Sequence, residues 1–368
     1  MYVQRKLPFK GMIAWTRRDI YKFIIIGIIP VFMYKGLGFY WLHLPWLPIG
    51  VVGTAVAFIV SFKNNASYDR LWEARKIYGG MVNASRSFAL MINDFISNEH
   101  AKEPLADEAL FKIRKQIIMR HVAWMTSLRH ALRQHKPWEF SRLDKADQEY
   151  LSKLEVREFK YTLEEELKGY VSQEEMDEIL SKKNKQGACL NLQSRQLKQL
   201  KEAGLIEDFR HMEMQAMLTE FFTLQGKVER IKNFPYPRQF ATLNYIFVWI
   251  FILLLPLGMM HEFENIGHEV VKAIQAHMLT HTSPIHQVVE FVGRYFIWVS
   301  VPFTVVVSWI FHTMERIGEN TENPFEGNSN DVPITTMSRG IEIDIREMIG
   351  DDPANIPPPI KEQFDIQL

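Results

Sequence analysis

Apolar residues along this chain are gathered into blocks. Residues 44–62 and 239–260 contain no Asp, Glu, Lys or Arg, and residues 245–255 are almost wholly apolar. Residues 23–34, flanked by Lys22 and Lys35, form a shorter stretch that extends through Gly36 towards Trp41. A fourth stretch, residues 295–311, is bounded by Arg294 and Glu315. A membrane-crossing helix needs about 20 apolar residues. Two stretches meet that outright, and the other two do so once flanking charged side chains reach for the interface. Four membrane helices are expected; the alternative is a set of buried core helices in a large soluble protein. The first 19 residues are basic but lack the apolar core and cleavage site of a secretory leader, so none is expected.

Residues 63–238 lie between the second and third blocks and carry a helical pattern. Leu110, Ile113, Ile117, His121, Met125, Leu128 and Leu132 recur at three- and four-residue steps, which places them on one core-facing side of a helix. Residues 161–187 are highly charged and interrupted by Gly169 and Gly187, which predicts short helices and loops. A second long helical pattern runs over residues 190–230 with a break near Gly204. In the tail, residues 341–349 have an apolar face that must lie against something. No strand-rich block, nucleotide-binding glycine pattern, internal repeat or low-complexity run appears. The expected class is an all-α membrane protein with four transmembrane helices and a large helical cytoplasmic region. Its expected parts are 1–62 (N-terminal segment and transmembrane helices 1–2), 63–238 (cytoplasmic domain), 239–314 (transmembrane helices 3–4) and 315–368 (cytoplasmic tail).

Composition changes this picture little, and charge changes it more. The 368 residues carry 43 Lys+Arg against 43 Asp+Glu, and a mean hydropathy of −0.12 alone would suggest a soluble protein. Zero net charge argues against nucleic acid as a partner. The balance is sided, however. Arg5, Lys6, Lys10, Arg17, Arg18 and Lys22 precede the first apolar stretch, against Asp19 alone, whereas residues 261–293 hold one lysine and four glutamates. By the positive-inside rule both termini and the long middle are cytoplasmic, with Tyr40, Trp41 and Trp46 at the outer interface.

Candidate chemistry is sparse. The one cysteine, Cys189, excludes an internal disulfide, and no base lies near it in sequence. His277 and His281 are four apart and could share a helix face and a transition metal, but the zinc-protease spacing is absent and a solvated loop is the better reading. No nucleophile–base order and no phosphate loop is present, so no enzyme, cofactor or metal is expected. Thr54, Phe58 and Phe62 fall at i, i+4 and i+8 on a helix that runs without a breaker into residues 63–75. Periodicity does not say which way they point, because every face of that segment is apolar.

The stretch Phe62-Lys-Asn-Asn-Ala-Ser-Tyr-Asp-Arg-Leu-Trp-Glu-Ala-Arg75 resembles the signature of the bestrophin family, specifically its bacterial branch. Leu200-Lys-Glu-Ala-Gly204, Pro235-Tyr-Pro237, Glu322-Asn-Pro-Phe325 and Asn330-Asp-Val-Pro333 follow in the family's order, so the resemblance covers almost the whole chain. It implies a homopentameric channel in the bacterial inner membrane that passes monovalent ions passively along one central pore through the lipid bilayer. It further implies a hydrophobic neck at Thr54, Phe58 and Phe62 and a cytosolic aperture at Phe209. Thr54 departs from the usual bulky aliphatic, and Phe209 is larger than the usual aliphatic. Lys63 and Arg70 would favour anions if they face the pore; Asp69, Glu207 and Asp208 would favour cations, so chloride against sodium stays open. Only two carboxylates, Glu326 and Asp331, lie in the six residues after Phe325, so the calcium clasp of animal members is not expected. The rival reading is a non-conducting membrane-anchored helical scaffold or sensor whose cytoplasmic domain binds a partner.

Overall fold

The protein was described from a computed structural model covering residues 1–139, 149, 152–278 and 284–368. The chain is almost entirely helical, and among the described residues only isolated bridges stand in for strands. Its elements are α1 (Phe9–Val31), α2 (Trp46–Phe95), α3 (Asp107–Arg133), α4 (Arg157–Lys160), α5 (Leu163–Leu167), α6 (Gln173–Ser181) and α7 (Lys185–Glu202). They are followed by α8 (Asp208–Asn233), α9 (Arg238–Met278), α10 (Pro284–Arg294), α11 (Ser300–Thr321) and α12 (Ile334–Met348).

Local chemistry explains several boundaries. Thr162 and Ser172 start α5 and α6 with reciprocal capping boxes to Glu165 and Glu175, which satisfy free backbone N–H groups. Gly204 ends α7 at φ +78°, a left-handed conformation, with the His100 carbonyl so close that a Cβ would overlap it. The break expected near that glycine is therefore a turn between α7 and α8.

α1, the upper part of α2, α9 and α11 pack as one bundle around Phe23, Ile49, Val56, Val60, Val248, Phe251, Ile252 and Leu255. Among the described residues, three helical segments are long and apolar enough to cross a membrane: Tyr40–Phe95, Arg238–Ala276 and Phe296–Thr321. The first of the four expected spans is not among them. Its helix, α1, begins at Phe9 and carries Lys10, Arg17, Arg18, Asp19 and Lys22 within its length, then gives way to a π turn at Phe32–Gly36. α1 nonetheless lies against α11, with Val301 Cγ1 3.3 Å from where a Cβ on Gly27 would sit.

The remainder forms a larger core. The lower part of α2 packs with α3, α8 and α12, and α7 packs on α3 and α8, around Trp124, Phe88, Phe221, Tyr78 and Ile117. The Phe88, Trp124 and His121 rings all contact Phe221, with centroids 4.6–5.4 Å away. α12 places Ile341 and Ile345 in this core, which is what the apolar face of the tail covers. Among the described residues a single helix, α2, thus belongs to both parts.

Candidate ion pathway along α2

α2 runs 50 residues without a break, so one rigid rod, about 75 Å long, carries residues from the apolar bundle into the polar half of the molecule. Its inward face is Gly53, Val56, Val60, Lys63 and Ser67, all buried. The opposite face of the helix is bare. Thr54 is exposed there, with its hydroxyl donating to the Gly50 carbonyl (3.0 Å), and Phe58 and Phe62 are 62% and 69% exposed. These three residues share one stripe, as their spacing requires. Asn65, Asp69 and Trp72 continue it downwards, and the Tyr68 and Trp72 rings stack within it.

Phe209 stands at the start of α8 and is 75% exposed. α8 runs antiparallel to α2: its end meets Arg70, while Arg210 lies over the Phe95 ring at the bottom of α2. Phe209 is therefore at the far end of the rod, roughly 50 Å from Phe62 at 1.5 Å per residue. Met212, Ala216, Thr219 and Thr223 extend its exposed stripe along α8.

The charged candidates are placed differently from one another. Lys63 is 2% exposed, and its Nζ lies 2.7 Å from Glu315 Oε1 of α11. Arg70 donates to the carbonyls of Glu322 (3.0 Å), Phe234 (2.9 Å) and Ile231 (3.1 Å). Neither side chain turns to the Thr54–Phe58–Phe62 stripe, so the condition under which they would favour anions is not met within the protomer. The physical reason is that a base at this depth needs buried oxygen partners, and α11 and the end of α8 supply them. Asp208 is exposed but paired with Lys201 at 2.6 Å, and Glu207 lies 3.5 Å from Arg210. Asp69 is exposed on the stripe itself.

Sequence reasoning missed the partners that hold these helices. Asp19 accepts from Arg316 (2.7 Å) and Lys22 (2.8 Å), and Arg316 lies over the Trp15 ring. At the end of the bundle away from the larger core, Glu264 accepts from Tyr34 (2.6 Å) and Lys35 (2.8 Å), which joins α9 to the π turn after α1. The available signal was a carboxylate close to an apolar block: Asp19 before residues 23–34 and Glu264 after residues 239–260.

Elsewhere several titratable groups are closed off inside the fold. Ser85 Oγ and His121 Nε2 lie 2.8 Å apart, but both are sealed in the aromatic core, and burial pushes the imidazole down to about 3. Burial pushes the Cys189 thiol up to about 11, which suppresses the thiolate that a nucleophile requires. After Phe325, Asp331 accepts from the Gly327 and Asn328 amides (2.6 and 3.1 Å). Glu326 accepts from Asn323 and Asn328 (2.7 and 2.9 Å), and its carboxyl is raised to about 8 by burial, with the Asp331 and Glu139 charges adding to it. Among the described residues no three candidate ligands converge as a metal site. His281 and the side chain of His277 lie outside the described residues.

Residues 15–280 and 288–347 match the sequence family described as Bacterial/Fungal Bestrophin protein. A voltage-dependent anion channel-forming protein of Mesorhizobium japonicum is 25% identical over 317 residues, covering 86% of this chain and 79% of that one. One from Escherichia coli is 23% identical over 349 residues, covering 95% and 89%. A crystal structure of a bacterial bestrophin homolog from Klebsiella pneumoniae superimposes with a TM-score of 0.66 at 23% identity, over 93% of this chain and all of that one.

Proposed function

The chain belongs to the bacterial/fungal bestrophin family of membrane proteins, and on that premise we propose that it forms a homopentameric channel passing monovalent ions passively. Thr54, Phe58 and Phe62 form its hydrophobic neck and Phe209 its cytosolic aperture; both termini lie on the cytoplasmic side of a bacterial inner membrane, and α1 crosses as a fourth span. The observation that carries this reading is the bare α2 stripe. Two large phenylalanine rings, more than half exposed, sit on the one helix that joins the apolar bundle to the polar half. Five copies around an axis would cover them and leave a narrow apolar passage, which gates ions by excluding water. The chemistry is conduction rather than catalysis: the buried Ser85–His121 pair and Cys189 are closed to substrate.

The relatives are named as anion channel-forming proteins, which makes a simple anion such as chloride the first ion to test. A second sign is favoured by one observation: Asp69 is exposed on the stripe beneath Phe62, whereas Lys63 and Arg70 are turned away from it. Purified protein in liposomes decides these points. The expected results are a pentameric mass, ion flux under a gradient, and a reversal potential in asymmetric NaCl that gives the sign. A folded protein that carries no flux at any voltage leaves the scaffold reading instead.

A further inference from the structure

Residues 46–62 of α2 are apolar on every side, which raises the question of what decides that Phe58 and Phe62 face outwards. Lipid is as apolar as a leucine or phenylalanine side chain, so within a bilayer no hydrophobic force orients such a helix about its own axis. Rotation has to be set by polar partners or by close packing. The structure places both on one side of α2, next to the stripe they would control.

Lys63 directly follows Phe62 and therefore projects about 100° around the helix from it. Its ammonium is buried against Glu315 at 2.7 Å, and Glu315 is itself fully buried. Asn64 Nδ2 donates to the Met314 carbonyl at 3.1 Å. Gly318, one turn further along α11, lies so close that a Cβ would overlap Asn64 Oδ1. At the outer end Gly53 packs on Phe251 of α9, whose Cε2 is 2.6 Å from where a Cβ would sit. The α11 side of this lock is itself anchored, since Arg316 is tied to Asp19 of α1.

We propose, on the reading of the α2 stripe as pore lining, that Lys63 and Glu315 are positioning residues that set the rotation of α2 and so turn Phe58 and Phe62 to the pore. A turn of α2 by one residue would separate the ammonium from the carboxylate and leave two unpaired charges at membrane depth, which is costly. The buried pair therefore acts as a rotational key on a helix that hydrophobicity leaves free. The neighbouring contacts at Asn64–Gly318 and Gly53–Phe251 make the same orientation the one of closest fit.

Thiol accessibility in liposomes tests this, because the native Cys189 is buried and stays silent. Phe62→Cys is expected to react with a water-soluble thiol reagent and Val60→Cys, on the inward face, is not. Adding Lys63→Met is expected to lower the rate at position 62 and raise that at position 60, each by about tenfold or more. The charge exchange Lys63→Glu with Glu315→Lys is expected to restore the original pattern. If the pair merely stabilised the fold, Lys63→Met would lower the melting temperature without moving the pattern. Rates within twofold of the unaltered background at both positions would overturn the proposal. Where Lys63→Met does not assemble, Glu315→Gln carries the same test, since it keeps the side-chain volume and removes one charge. Labelling needs no conduction, so a protein that passes no ions sinks the pore reading while the two rates still decide the rotation.

Discussion

Residues 46–62 and 74–95 belong to one helix yet are held in place by different physics. In the lower stretch Ile77, Tyr78, Met81, Phe88 and Ile92 all point into the aromatic core, while Asn83, Arg86 and Leu90 stay outside. Burying each such side chain from water contributes about 1.5–3 kcal/mol, so area alone orients this half. In the upper stretch inward and outward residues are equally apolar: Val56 and Val60 face in, Val51 and Phe58 face out. There the orientation follows from single close contacts and a buried ion pair. A hydrophobic pattern informs about orientation only where water is the alternative surrounding, which is the lesson of the contrast.

The contrast can be broken most forcefully in the lower half. Trp124→Ala removes a fully buried ring packed on Phe221 and leaves Gln225 without its indole donor (3.0 Å), so a loss of about 3–5 kcal/mol is expected in chemical denaturation of the detergent-solubilised protein. A loss under about 1 kcal/mol would mean that the core does not close as described.

Next in size is a pH effect at the loop after Phe325. Glu326 has an ordinary value of 4.5 and is raised to about 8 in the fold. A raised acid binds its proton more tightly when folded, so the stability that Glu326 contributes is fully present below pH 4.5 and is lost as pH rises through 8, by roughly 4 kcal/mol. Glu326→Gln keeps the volume and removes this dependence, so the variant gains over the unaltered protein as pH rises from 5 to 8. Parallel melting curves for the two proteins across that range would contradict the raised value.

Phe58→Ala sharpens the comparison from the other side. Its ring faces outwards, so thermal stability is expected to change by less than about 1 kcal/mol while leak flux in liposomes rises several-fold. Unchanged flux would remove Phe58 from the neck. Phe209→Ala is expected to alter selectivity or rectification more than total flux, measured as reversal potential and current shape. The smallest effect is expected at Asp208→Asn, which gives up an exposed ion pair with Lys201 and costs under about 0.5 kcal/mol in the same denaturation assay.

Much of the helical framework was legible in advance because water and lipid impose different periodicities. The seven core-facing positions from Leu110 to Leu132 fall on α3, the charged stretch after Tyr161 is short helices and turns, and Gly204 breaks the second long pattern. The first apolar stretch was harder to read. Counting from Phe23 hid the fact that its helix starts 14 residues earlier among charges that Arg316 and Glu149 partner. The carbonyl cradle of Arg70 was beyond sequence reading for a different reason. It joins residues 231, 234 and 322, which no local pattern connects to α2.

By itself the sequence determined the helical class, the blocks suited to a membrane, the unbroken rod from the apolar bundle into the larger core, and the spacing that puts Thr54, Phe58 and Phe62 on one stripe. Each of these follows from composition and repeat along a single chain. Tertiary structure alone decided which side of that rod is bare and which charges remain on it. That choice depends on Glu315, Gly318 and Phe251, residues about 200 to 250 positions away whose contacts exist only once the helices have packed.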